Sequence, residues 1–344
     1  MVSERGLQVL RAIVQDYVET REPVGSRAIV ERHAFGVSAA TIRNDMAQLE
    51  DEELITAPHT SSGRVPTDKG YRVFVNHLAQ LRPLSSAQRR AITAFLAEPT
   101  DLDDLMARTV RVLTRLTGQV ALAQYPSFAR AHITHVEIVA LGPHRLLVVL
   151  VTDSGAVSQR IAVFDGSLDE QDMAIIRTRV SSLLTGESVG EASALLSQLA
   201  EVPHEQRITA ALATLARVIG EELAEFRQER LVMAGAATLA RREHDFRGSI
   251  HPLLEAIEEQ VTLLRLMSEM VVDEHGLAAS IGTENEAFGL PEASIVTSNY
   301  ASATGTARVG VMGPTRMDYP SNFAAARAVA RYLSDLLDDD EKSQ

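Results

Sequence analysis

Apolar positions near the N-terminus recur every three or four residues, the spacing of helices buried along one side. Leu7, Leu10, Val14, Tyr17 and Val18 predict a helix over residues 4–19, with Arg5, Gln8, Arg11, Gln15 and Glu19 on its outer side. Glu22-Pro23 stops it, because a residue preceding proline is driven out of the helical region. Ser26 can cap a short second helix reaching His33. Phe35-Gly36-Val37 then makes a tight turn in which Gly36 is free to take positive φ. Ser38 is placed to cap a third helix in which Ile42, Met46 and Leu49, at offsets of four and three, turn inward.

That spacing leaves Ala40, Arg43, Asn44 and Ala47 on the open side, flanked by Thr41 and Gln48. Small residues near the front of such a helix allow close approach to a DNA major groove. Arg43 can donate two hydrogen bonds to guanine, and Asn44 or Gln48 can pair with adenine. The acidic run Glu50 to Glu53 would repel phosphates, so the helix is expected to enter by its N-terminal end, which itself favours phosphate. Leu54-Ile55 starts a strand, Ser61-Ser62-Gly63 turns, and Arg64-Val65 returns. Arg64 is expected at a hairpin tip, suited to the minor groove or a phosphate. Thr67 can cap the next helix, lined by Tyr71, Phe74, Val75 and Leu78, with Lys69 and Arg72 as candidate backbone contacts. Two helices around a turn followed by a hairpin predict a winged helix-turn-helix and make double-stranded DNA the first candidate partner. The DNA-binding set is Ser38, Ala40, Thr41, Arg43, Asn44, Gln48, Ser62, Arg64, Lys69 and Arg72.

Beyond a hinge at Leu81 to Ser86, short helices are predicted over 87–96 and, capped by Asp101, through Thr117 by way of Leu105, Val112 and Leu116. The period then shortens. Ile133 to Ala140, Arg145 to Val151 and Ala156 to Phe164 alternate like strands of an antiparallel sheet, with a turn at Asp153-Ser154-Gly155. Helices return over 169–184, 189–200 and 205–228, the last carrying Leu212, Leu215, Ile219, Leu223 and Phe226 at helical spacing. Pro252 opens a helix containing Leu253, Leu254, Ile257, Val261, Leu264 and Met267. Strands follow at 277–282, 294–300 and 306–312, and a last helix at 322–337. Sheet, helical block and sheet again predict an α+β chain with an insertion in one domain, or two separate domains.

The 344 residues are 45% hydrophobic, enough for two or three domains, and the formal charge is −13. Such acidity excludes a nonspecific nucleic-acid coat protein, which needs a broad basic surface. It is unevenly distributed. Residues 1–82 carry 10 Lys and Arg against 11 Asp and Glu, and the remainder 23 against 35. A head that is nearly neutral must rely on shape, a few contacts and pairing of subunits. There is no cysteine, which removes thiol catalysis, disulfides and cysteine-bound zinc. A charged, helical N-terminus and the lack of a membrane-length apolar run predict a cytoplasmic protein with no membrane partner.

Candidate chemistry elsewhere does not assemble. His132 and His135 flank a strand start, and His244, Asp245 and His251 lie near Arg241-Arg242-Glu243 without a metal-binding run. Gly310 and Gly313-Pro314 lack a full phosphate-loop pattern. Glu284 with Asn285, and Arg316 with Asp318, suit buried polar pairs better than a ligand pocket. No catalytic residues, cofactor or metal are expected, and the chain reads as a non-enzyme. A small-molecule-responsive winged-helix repressor of metabolic genes is the alternative function.

Two head segments, VSAATIRNDMAQLEDEELI (Val37 to Ile55) and PHTSSGRVPTDKGYRVFV (Pro58 to Val75), and two tail segments, IGTEN (Ile281 to Asn285) and GVMGPTRMDY (Gly310 to Tyr319), resemble the HrcA family of bacterial heat-inducible transcription repressors. The order and spacing agree over nearly the whole chain. In Leu231 to Phe246 the asparagine and proline usual in the family are absent, while Gly235 and Asp245-Phe246 remain. The resemblance implies a winged helix over 1–82, a GAF-like domain from 87–164 and 249–338, and an inserted dimerising domain over 165–248. It implies a recognition helix from Ser38 to Glu50 and a wing centred on Ser61 to Arg64. It further implies a homodimer that binds the inverted-repeat operator CIRCE, represses chaperone genes, and depends on the GroEL chaperonin for its active form. No residue here supports a cyclic-nucleotide or chromophore function for the GAF-like part.

Overall fold

The computed structural model describes residues 2–59, 62–78, 84–126, 131–142, 144–153, 155–164, 167–199, 205–227, 230–241, 243–246, 250–302 and 305–342. The chain is mixed α+β. It begins with α1 (Glu4–Thr20), α2 (Ser26–Arg32) and α3 (Ala39–Asp51), then β1 (Ile55–Thr56), β2 (Val65–Pro66) and α4 (Asp68–Asn76). There follow α5 (Ser86–Leu96), α6 (Leu102–Thr117), β3 (Val120–Gln124), β4 (Ile133–Gly142), β5 (Arg145–Thr152) and β6 (Val157–Val163). Next are α7 (Glu170–Leu184), α8 (Val189–Leu195), α9 (Gln206–Arg227), β7 (Leu231–Ala234), α10 (Ala236–Arg241), α11 (His251–Glu259) and α12 (Val261–Glu269). The chain closes with β8 (Leu277–Ile281), β9 (Ala293–Ser302), β10 (Gly305–Pro314) and α13 (Tyr319–Lys342).

Two units emerge. The first comprises residues 1–123, 231–299 and 308–332. It joins the N-terminal helices, the head, to a body built on a five-stranded sheet of order β7-β3-β10-β9-β8. Met312 pairs with Val120 and Val309 with Ala123 across the β10–β3 ladder. Leu253, Leu263, Leu266 and Met267 from α11 and α12 pack on Val120, Leu122, Ile295 and Met312 of that sheet. The helix expected across Leu253 to Met267 is broken at Gln260, whose φ of 52° ends α11 and lets α12 start in a new direction. Sequence alternation did not predict β3 or β7. Val120, Ala121, Leu122 and Ala123 are all buried, so β3 shows no exposed face to generate a period of two.

The second unit comprises residues 124–230, 300–307 and 333–344. Its three-stranded antiparallel sheet, β4-β5-β6, matches the predicted strands to within two residues at each end. Ile138, Val148, Leu150 and Ala162 face α7, α8 and α9 in one core with Ile176, Leu184, Leu212 and Leu223. Here the domain expectation needs correcting. This sheet shares its core with the helices assigned to the insertion, not with the later strands. The alternation that identifies a strand does not say which helices will cover its buried side. Ser154 of the predicted β5–β6 turn, Leu81 to Pro83 of the predicted hinge and the Phe226 side chain lie outside the described residues. Among the described residues no helix is long and apolar enough to cross a membrane.

Candidate nucleic-acid interface

The third helix forms as its sequence predicts. The Ser38 hydroxyl accepts from the Thr41 backbone N–H at 3.2 Å and lies 3.1 Å from the Thr41 hydroxyl. Gly36, at φ 66°, makes the turn before it. Ile42, Met46 and Leu49 are buried against α1 and α2. Ser38, Ala40, Arg43, Asn44, Ala47 and Gln48 are exposed, and Thr41 is half-buried. Among the described residues, no hydrogen bond or ion pair engages the side chains of Arg43, Asn44 or Gln48. The helix thus offers one guanidinium and two carboxamides along a side whose N-terminal turn carries no acid.

Two buried acids that sequence reasoning missed hold this helix in place. Asp45 lies on the inward side of α3 and accepts from Arg5 Nε at 2.8 Å and Nη2 at 3.0 Å. This paired geometry restrains rotation of α3 against α1 as well as distance. The pairing raises the Arg5 pKa above its ordinary value, first through the hydrogen bond and then through charge. Asp16, buried on α1, accepts from His33 Nε2 at 2.9 Å and Arg32 at 3.3 Å, tying down the end of α2. Both acids fall at helical spacing among apolar neighbours. An acid on a buried stripe is the one signal that could have flagged them, since such a group requires a partner.

The hairpin and the helix after it need three corrections. Arg64 is not at the tip. Its backbone exchanges two 2.9 Å hydrogen bonds with Val24, and its side chain folds back to Glu50, with Nε at 2.9 Å and Nη2 at 2.8 Å. Arg64 therefore neutralises part of the acidic run that would repel phosphate. The Ser62 hydroxyl is also used internally, donating to the His59 carbonyl at 2.7 Å and accepting from the His59 N–H at 3.0 Å. Ser61 of the expected wing lies outside the described residues. Lys69 is exposed and 3.5 Å from Glu53, so a phosphate could compete for it. Arg72 is not offered to DNA in this arrangement. It donates to Glu284 at 2.6 Å and to the Ala279 carbonyl at 2.8 Å, both in the body. Thr67 caps α4 as expected, accepting from the Gly70 N–H at 3.0 Å.

The scattered histidines form local pairs, His132 with Asp153, His135 with Glu137 and His244 with Asp245. Among the described residues no group of three or more histidine or acidic side chains is arranged to hold a metal. Glu284 pairs with Arg72, whereas Asn285 is buried and bonds to Ser280 and the Ala293 carbonyl. Arg316 pairs with Asp245 instead of the expected Asp318.

Comparison with known proteins places these features in a family. Residues 103–322 match the family model described as the HrcA protein C terminal domain. The chain is 61% identical to the heat-inducible transcription repressor HrcA of Clavibacter michiganensis subsp. michiganensis, over 98% of this chain and 100% of that one. It is 59% identical to the protein of the same name from Leifsonia xyli subsp. xyli, with the same coverage. The HrcA of Streptomyces avermitilis is 48% identical over 98% of this chain and 99% of its own. A crystal structure of a hypothetical protein at 2.2 Å superposes with a TM-score of 0.65 at 25% identity, covering 98% of this chain and 99% of that one.

Proposed function

Because this chain belongs to the HrcA family of heat-inducible transcription repressors, we propose that its head is a winged helix-turn-helix that reads one half of an inverted-repeat operator. In this reading α3 enters the major groove by its N-terminal end. Arg43 donates to a guanine edge, and Asn44 or Gln48 reads adenine. Ser38, Ala40 and Thr41 form the surface that meets the backbone, where the helix N-terminus favours phosphate. Lys69 adds a phosphate contact beside the β1–β2 wing. The observation that carries the reading is the exposed polar side of α3, left without internal partners while Ile42, Met46, Leu49 and the Arg5–Asp45 pair fix its back.

The body around β7-β3-β10-β9-β8 is the GAF-like part, and the unit containing β4-β5-β6 and α7 to α9 is the dimerising insertion. A specific feature supports dimer formation there. The outer side of the three-stranded sheet exposes Val139, Leu141, Val157, Ile161 and Val163. Register sets Val139 beside Leu147 and Leu147 beside Ile161. A large apolar patch of this kind is rare on a monomer, and a second copy would cover it. Two subunits then present two α3 helices to the half-sites of the CIRCE repeat, and the linked contacts raise affinity far above that of one nearly neutral head.

Release on heating follows from the same linkage. Loss of body structure or of pairing removes avidity without changing a base contact. Dependence on the GroEL chaperonin for the active form would make repression follow the supply of free chaperonin. Work on an operator sets the protein's place in the cytoplasm. The test is a gel shift with operator duplex from a chaperone promoter. Arg43→Ala should weaken binding with the fold intact, and equal affinity of variant and parent would overturn the reading.

A further inference from the structure

The two tail motifs, residues 281–285 and 310–319, lie outside the proposed DNA-contact set, yet both reach the head. Arg21, the C-cap of α1, holds a left-handed φ of 64°, a conformation that favours glycine. An arginine there is explained by its side chain, which meets His244 and lies 3.3 Å from Asp245. The Asp245 side chain is buried and also pairs with Arg316 of the second motif, whose guanidinium lies 5.7 Å from the centre of the Tyr17 ring on α1. At the other contact, Glu284 and the Ala279 carbonyl hold Arg72 of α4. The Thr283 N–H donates to Asp68 at 2.9 Å. At Gly282, φ 54°, an added Cβ would lie 2.2 Å from an Asp68 oxygen, so the Asp68 carboxylate would have to shift from its place beside the Thr283 N–H. Tyr71 of α4 also packs on the buried Tyr319 of the second motif, ring centres 5.7 Å apart. Tyr319 donates to the Thr315 carbonyl and accepts from the Ser294 hydroxyl, and burial pushes its hydroxyl pKa far up, so it stays neutral.

We propose that Arg21, Asp245 and Arg316 at one contact, and Asp68, Arg72, Gly282 and Glu284 at the other, form a two-point joint that positions the head for operator binding. These are positioning residues. The joint engages α1 and α4 and leaves the open side of α3 uncovered. Two charged contacts together with an aromatic pair resist rotation as well as separation, which a single contact would not. Heads clamped to their bodies present their α3 helices at a set distance and phase. Heads on a loose tether would accept many spacings but bind each less tightly, because effective concentration falls as reach grows. This inference rests on the proposed reading of an inverted repeat by a dimer.

The test uses the full chain and the double variant Arg21→Ala with Glu284→Ala. Neither residue is a DNA-contact candidate, and Asp245 keeps Arg316 as a partner. Because the chain has no cysteine, spin labels can be attached at Gln8→Cys in the head and Glu274→Cys in the body, both exposed, with labelled subunits diluted in unlabelled ones. A narrow distance distribution in the parent should broaden in the double variant, and coincident distributions would overturn the joint. Operator duplexes with one or two base pairs added between the half-sites turn one half-site by about 35° per pair. The parent should bind them at least about tenfold more weakly than the native spacing. The variant should lose affinity for the native spacing and discriminate by no more than about threefold, with affinity for a single half-site unchanged. An unchanged spacing profile despite a broadened distribution would overturn the positioning role. If the parent fails to distinguish operator from scrambled duplex, the operator reading falls, while the distance measurement still decides the joint.

Discussion

The open side of α3 and the joint side of the same head use similar residues to opposite ends. Arg43 is exposed and engages no acid among the described residues, whereas Arg21, Arg64 and Arg72 each reach one. An arginine already paired internally exchanges one partner for another on meeting a phosphate and gains little. An unpaired arginine keeps its full set of donors for a base edge. The comparison separates candidates that look alike in the sequence. It also explains how a head of nearly balanced charge can read DNA, since its basic residues are divided between holding the fold and facing the groove.

The sharpest break in the comparison would come from the support beneath the open side. Leu49→Ala should destabilise the head by about 2–5 kcal/mol, as a buried leucine truncation does. Hydrogen exchange would show lost protection over residues 4–76, and operator binding should fall with it. Retained protection would mean that α3 does not depend on its buried side. Next in size is Arg43→Ala, for which about 1–3 kcal/mol of discrimination should vanish at one base pair. Competition among single-substituted operators would locate that pair, and a uniform loss across all positions would instead mark a phosphate contact. Ser38→Ala removes a cap worth about 1 kcal/mol. Thermal melting and operator affinity should both decline modestly, and an unchanged melt would show that the cap is dispensable. The smallest expected effect is in salt dependence. The slope of log affinity against log salt should shift by about 0.9 per subunit for Lys69→Ala and stay unchanged for Arg72→Ala. A shift with Arg72→Ala would mean that the joint opens when DNA binds.

Features set by neighbours in the chain were legible in advance. Ser38 and Thr67 cap the helices they precede, Gly36 takes positive φ, and Ile42, Met46 and Leu49 point inward. Each depends on residues within one or two helical turns. What escaped depends on remote partners. Arg5 finds Asp45 across 40 positions, Arg72 finds Glu284 across 212, and Arg21 finds Asp245 across 224. Periodicity puts Arg5 on an outer surface and is right about its exposure, but it says nothing of the carboxylate brought alongside. Arg64 was misplaced because the hairpin and Val24 form a bridge that no local pattern announces. The three-stranded sheet was legible strand by strand, while its attachment to α7 to α9 was not.

Position 282 carries a consequence of its own. The absence of one carbon lets the second tail contact close over Asp68, so a change to alanine would push the Asp68 carboxylate off the Thr283 N–H without altering any charge or any residue facing DNA. A laboratory selection for repressors that accept misspaced operators should therefore recover substitutions at that codon.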